Sequence, residues 1–215
     1  MKTIAQIKAF QRKHGLVPDG LIGPQTKRVM AELAKPPSRS ARKEPDKSAI
    51  SGKAPAARAP VSPSPSWSGQ IKIADTSRQI DEINFHCTAT PEGRWYDRAD
   101  VNAWHKQRGW QMIGYTYLIL LDGTIQEGRP IGMVPSQIKG HNVGKIGIAY
   151  VGGLSRDGKT PKDTRTPEQA AAALWLASEL KSKFKIKRRV KGHNEYDKGK
   201  ACPSFNVAND ALGAI

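Results

Sequence analysis

His86, His193 and Cys202 are the residues of this chain best suited to demanding chemistry. Two imidazoles and one thiolate form one of the sets that hold a catalytic zinc, with the fourth position left open for water. His193 and Cys202 share the stretch RVKGHNEYDKGKACPSF, from Arg189 to Phe205, whereas His86 ends an apolar run far earlier in the chain. In that run Ile83, Phe85 and Cys87 alternate with Asn84, His86 and Thr88. On a strand this alternation sends successive side chains to opposite faces. Cys87 therefore sits with the apolar set, and Cys202 is left as the sulfur ligand. Two cysteines are too few for a disulfide framework. A Cys87–Cys202 bridge is the alternative, since ligation needs Cys202 as a free thiolate. His141 is a weaker candidate, because a fourth protein ligand would close the site against water.

The elements that must position these residues are legible in pattern. Asp97 can cap a helix in which Val101, Trp104 and Arg108 share a face and which Gly109 ends. His105 on that helix reads as structural. Residues 114–121 read as a strand with Tyr115, Tyr117, Ile119 and Leu121 on one face, and Asp122-Gly123 turns it into a second strand over 124–127. The segment 128–145 has no periodicity, as a groove-lining loop would not, and 146–151 is a third strand. Thr166 and Gln169 form a capping box ahead of the longest helix, whose apolar face is Ala170, Ala173, Leu174, Ala177 and Leu180. Strands interspersed with helices imply an α/β fold, a mixed β-sheet flanked by helices.

In order, the segments FHCTAT, WHKQRGW, GYTYLILLDGTIQEGR, KGHNVGKIGIAYVGG and GHNEYDKGKACPSF resemble the zinc-dependent N-acetylmuramoyl-L-alanine amidases of the phage lysozyme type. More distantly they resemble the peptidoglycan recognition proteins. The resemblance implies Zn2+ held by His86, His193 and Cys202, with Tyr115 of the GY pair and Lys200 before ACPS completing the site. It implies hydrolysis of the amide between N-acetylmuramic acid and L-alanine, with zinc-activated water as nucleophile. Glu195 is an auxiliary base or a residue that orients a ligand. The chain departs from the phage lysozymes in two places. The loop from His193 to Cys202 is slightly longer, which leaves Lys198 as the alternative to Lys200, and Gln137 stands where those enzymes often carry a histidine.

Three parts are expected along the chain. Residues 1–35 carry a capping box at Thr3 and Gln6, apolar Ile4, Ile7 and Phe10 at helical spacing, and a second helix opening at Pro24. The segment IKAFQRKHGLVPDGLIGPQTKRVM resembles the small all-α peptidoglycan-binding domains of wall hydrolases. Residues 36–69 form a basic linker rich in Pro, Ser and Ala, with too little apolar surface to offset its ordering entropy. Residues 70–215 form the catalytic domain.

The 215 residues carry a net charge of +16, which calls for an anionic partner. Bacterial peptidoglycan and anionic envelope polymers both qualify. Nucleic acid is not expected, because neither a basic-aromatic stacking surface nor a helix-turn-helix or zinc-finger spacing is present. No apolar run reaches the ~20 residues that span a bilayer. Gln6 and Lys8 interrupt the apolar core that a secretory signal needs. The pairing of a wall-binding module with an amidase and no signal peptide resembles a phage endolysin, expected to be a monomer made in the host cytoplasm and acting on the wall from the periplasm. The alternatives are a bacterial or prophage autolysin and a peptidoglycan-binding protein without activity.

Overall fold

Alternation along β1 (Glu82–Cys87) sends its side chains to two packed layers, one on each face of a central sheet. The structure is a computed structural model and describes residues 3–13, 21–23, 26, 30 and 71–215. Its chain divides into two compact units, Met1–Pro63 and Ser64–Ile215.

In the second unit β1 joins β3 (Tyr117–Ile119), β4 (Ile125–Glu127), β5 (Lys145–Tyr150) and β7 (Lys191–Gly192) in one sheet of order β4-β3-β5-β1-β7. β1 runs parallel to both β5 and β7, β3 runs parallel to β5, and only β3 with β4 is antiparallel. Two short strands, β2 (Thr90–Pro91) and β6 (Gly153–Leu154), pair apart from it. On one face Ile83, Phe85, Ile146, Ile148 and Tyr150 pack under the helix α3 (Pro167–Phe184), which contributes Ala172, Ala173, Leu176, Ala177 and Leu180. On the other, Leu118, Ala149 and Val151 meet Val101 and Trp104 of α2 (Arg98–Gln107). The expected mixed sheet flanked by helices is therefore the observed one.

Local signals hold where they are purely local. Asp97 caps α2 by accepting from the amides of Ala99 and Asp100, and Thr166 with Gln169 forms the box ahead of α3. The apolar stripe of α3 differs from expectation. Ala170 and Leu174 are only partly buried, whereas Gln169 is fully buried and donates to the carbonyls of Ile119 and Val151 at 3.2 and 3.0 Å. A polar side chain that satisfies two strand ends thus sits where periodicity looks for an apolar one.

The strand expected over 114–121 is shorter, and Tyr115 does not share a face with Tyr117. Tyr117 and Ile119 join the α3 side, whereas Tyr115 and Leu121 join the α2 side. The cause lies in the pairing. Consecutive amides, Gly128 and Arg129, donate to the consecutive carbonyls of Thr116 and Tyr115, both at 2.8 Å. Such bonding at successive residues breaks the two-residue alternation, as a bulge does.

In the first unit α1 (Ile4–Lys13) opens on the expected capping box, with Thr3 N donating to Gln6 Oε1 at 2.8 Å and Gln6 N to Thr3 Oγ1 at 3.3 Å. Ile7 is buried, and Thr26 and Met30 are helical. The expected turn at Gly15, most of the second helix, and the linker with Trp67 lie outside the described residues.

Candidate active site and metal centre

The same alternation that buries Phe85 and Cys87 under α3 turns Glu82, Asn84 and His86 to the opposite face, all three fully buried. β7 lies beside β1 with Gly192 opposite Phe85, so the next residue along, His193, leaves the sheet beside His86. The two rings stand 4.9 Å apart at 62°. Parallel strands bring both histidines to their carboxyl ends, the usual place for a site in an α/β protein. No side chain fits at Gly192, where a Cβ would lie 2.6 Å from Asn194 Oδ1 and 2.9 Å from Pro203 Cδ.

Cys202 reaches the histidines because the segment after it is tied down. Its carbonyl accepts from Asn194 N at 2.8 Å, the Pro203 carbonyl accepts from Tyr150 Oη at 2.8 Å, and Ser204 Oγ donates to Gly153 O at 2.7 Å. Cys202 Sγ lies 3.6 Å from His86 Nδ1 and accepts from the Cys87 amide at 3.2 Å. One donor atom from each of His86, His193 and Cys202 lies within 4.8 Å of the others. Two imidazoles and a sulfur at this spacing fit a tetrahedral zinc.

The electrostatics suit ligation. Burial, reinforced by His193, lowers the pKa of His86 to about 3 against an opposing contact from Gln137. Burial lowers His193 as well. Both rings are therefore neutral at neutral pH and have a lone pair to offer. The Cys87 thiol and burial raise Cys202, a cost that a bound cation would offset.

Tyr115 stands 5.3 Å from the His86 ring and 5.4 Å from that of His105. Burial, then Cys202 and Cys87, raise its phenol, which stays protonated. Lys200 is exposed, with its amide bonded to the Asp197 carbonyl at 3.0 Å, and its charge bears on both His193 and Cys202. Glu195 is committed elsewhere. It accepts from Gly192 N at 2.9 Å and pairs with Arg189, so it shapes the turn. His141 packs on Tyr196 at 5.1 Å and is not part of the ligand cluster. Both cysteines are free thiols.

His105 is structural, as expected, and it supports Tyr115. Its Nδ1 accepts the Gly114 amide at 2.9 Å while its ring lies against Tyr115 and Trp110. Burial, then Arg108 and Arg129, lower its pKa from 6.5 to about 4. As pH falls, the unfolded chain therefore takes up this proton first. The contribution is complete above pH 6.5 and is lost through about pH 4, at no more than about 1.4 kcal/mol per pH unit. His105→Gln should accordingly show a shallower fall of Tm across that window. An unchanged slope would count against this account.

Sequence patterns did not single out Asn84 and Glu82 as part of the site, and Gln137 was marked only by resemblance, as standing where the phage lysozymes often carry a histidine. For Asn84 and Glu82 the signal is polarity inside a buried strand run, which periodicity reads only as the solvent face.

The N-acetylmuramoyl-L-alanine amidase family matches residues 76–205, and a peptidoglycan binding domain matches residues 2–30. An endolysin of Enterobacteria phage K11 is 34% identical over 137 residues, 63% of this chain and 89% of the phage protein. The endolysin of Escherichia phage T7 is 35% identical over 127 residues, 59% of this chain and 82% of its own. Among solved structures, an endolysin N-acetylmuramoyl-L-alanine amidase from Clostridium intestinale superposes with a TM-score of 0.51 at 31% identity, covering 60% of this chain and 78% of that one. The amidase match over 76–205 contains His86, Tyr115, His193, Lys200 and Cys202, and with these relatives the chain belongs to the N-acetylmuramoyl-L-alanine amidase family, among its phage endolysins.

Proposed function

We propose that this peptidoglycan amidase is zinc-dependent, with His86, His193 and Cys202 as ligands and Tyr115 and Lys200 as the groups that act on the scissile amide. The convergence of two neutral imidazoles and one thiol within 4.8 Å carries the reading. Zinc bound there would acidify water and polarise the amide carbonyl. The chain's own residues do the rest. Hydrolysis needs a donor for the developing oxyanion and a proton for the leaving amine. Tyr115, held protonated by burial against the His86 ring, is a donor, and the Lys200 ammonium brings positive charge to the same ligands.

Residues 1–35 then act as a wall anchor joined through 36–69 to the catalytic domain 70–215. A tethered second contact raises avidity without altering the site. The net charge of +16 adds attraction to anionic envelope polymers. Among the described residues no helix is long and apolar enough to cross a membrane. The setting proposed is action as a monomer on the wall from the periplasm.

One digestion experiment tests the whole. Mass spectrometry of treated sacculi should find free stem peptides beginning at L-alanine and intact glycan. A chelator should stop their release and added zinc restore it. Deleting residues 1–35 should lower the fraction of enzyme that sediments with sacculi and leave the cleaved bond unchanged. Full activity after exhaustive chelation would sink the zinc reading.

A further inference from the structure

The buried face of β1 carries a polar chain with a defined direction. At its start Glu82, wholly buried, faces Lys145 at 3.3 Å, Lys191 at 3.1 Å and Arg188 at 3.6 Å, and accepts from the Tyr196 hydroxyl. A carboxylate among these donors can only accept. Asn84 must therefore turn its amide nitrogen to it, and Nδ2 donates to Glu82 Oε1 at 3.0 Å. That orientation leaves Asn84 Oδ1 as an acceptor, which takes Gln137 Nε2 at 3.2 Å. Gln137 is left with Oε1 free to accept.

The next side chain along that buried face of β1 is the His86 ring. Nε2 of His86 and Oε1 of Gln137 are both buried without a strict hydrogen-bond partner among the described residues. Gln137 Nε2 is bonded to Asn84, two residues before His86 on the same buried face of β1, which brings the Gln137 amide alongside the ring. An amide oxygen can only accept, so the two atoms would satisfy each other if His86 Nε2 carried the ring proton.

The position is also built. Asn142 Oδ1 accepts from the amides of both Gln137 and Ile138, at 3.0 and 2.9 Å, which fixes the loop. Beneath the Gln137 amide lies Gly147 of β5, where a Cβ would stand 1.8 Å from Oε1. Only glycine at 147 gives the amide this seat.

We propose that Gln137 is a positioning residue which, oriented by Glu82 through Asn84, holds His86 in the tautomer protonated at Nε2 and so presents its Nδ1 lone pair to the metal. This rests on the zinc reading and deepens it. Nδ1 is the nitrogen that faces Cys202 Sγ, at 3.6 Å. A second group bonded to the remote nitrogen of a ligating histidine fixes ring and tautomer, and losing it costs about 10- to 100-fold in metal affinity.

The test uses full-length protein and two readouts. Imidazole 15N spectra of the metal-free protein report the His86 tautomer, and competition with a chelator reports the zinc Kd. The parent should show a single tautomer protonated at Nε2. Gln137→Leu should show a mixture and bind zinc about 10- to 100-fold more weakly. Gln137→His, whose neutral ring again offers one donor and one acceptor, should keep the parent's tautomer and affinity. An unchanged tautomer and Kd in a folded Gln137→Leu protein would overturn the relay. A parent that binds no zinc would remove the metal reading, and the tautomer of the metal-free protein would still decide the relay.

Discussion

Cys202→Ala should purify without zinc and hydrolyse peptidoglycan at no more than background rate, while Cys87→Ala should keep both metal and turnover. The two cysteines lie close in space, so the pair of variants separates ligation from proximity. Cys202 Sγ faces His86 Nδ1 and receives the Cys87 amide, whereas the Cys87 side chain belongs to the apolar cluster under α3. With the sulfur gone, two imidazoles remain to hold a borderline-soft cation that takes three protein ligands in catalytic sites. His86→Ala and His193→Ala should behave like Cys202→Ala. The loss should be one of function more than of fold, because Cys202 is partly exposed and its segment is held through backbone carbonyls and Ser204. Metal analysis alongside circular dichroism checks this. A folded Cys202→Ala protein carrying one zinc per chain would exclude the sulfur as a ligand.

The placement of His86 was legible because it depends on a two-residue period and on residue type. The alternation from Ile83 to Thr88 separates His86 from Cys87, and the structure keeps them on opposite faces of β1. Capping at Asp97 and Thr166 was legible for a similar reason, since donor and acceptor lie within one helical turn. Tyr115 was found by resemblance, but its face was misjudged. The break in alternation at Thr116 comes from pairing with Gly128 and Arg129, and no property of the strand's own residues announces it. The relay behind His86 was illegible for a stronger reason. Asn84 and Gln137 are 53 residues apart, and their meaning depends on the direction of each amide. A sequence records that an amide is present and leaves its orientation to its neighbours in space.

Tyr115→Phe and Lys200→Ala should each keep zinc and wall binding and yet lose on the order of 10²- to 10³-fold in turnover, the usual cost of removing one positioned oxyanion donor. Neither substitution touches a donor atom of the ligand cluster. Tyr115→Phe removes one hydroxyl and keeps the ring that packs on His86 and His105, so its effect isolates the phenol. Because burial keeps that phenol protonated, it acts as a donor throughout the neutral range and should add no ionisation of its own to the rate profile. Lys200 is positioned differently. It is exposed, so its placement depends on the turn that bonds its amide to Asp197 and on Cys202 two residues later. Its charge bears on both His193 and Cys202, which favours it over Lys198 despite the longer loop. The loss should appear in kcat with KM nearly constant, since an interaction made only in the transition state does not hold the ground-state substrate. Steady-state kinetics on a soluble muropeptide, with zinc content measured on the same samples, decides the matter. If Lys200→Ala turns over normally while Lys198→Ala does not, the role belongs to Lys198, and if both are normal the ammonium has no part in the chemistry.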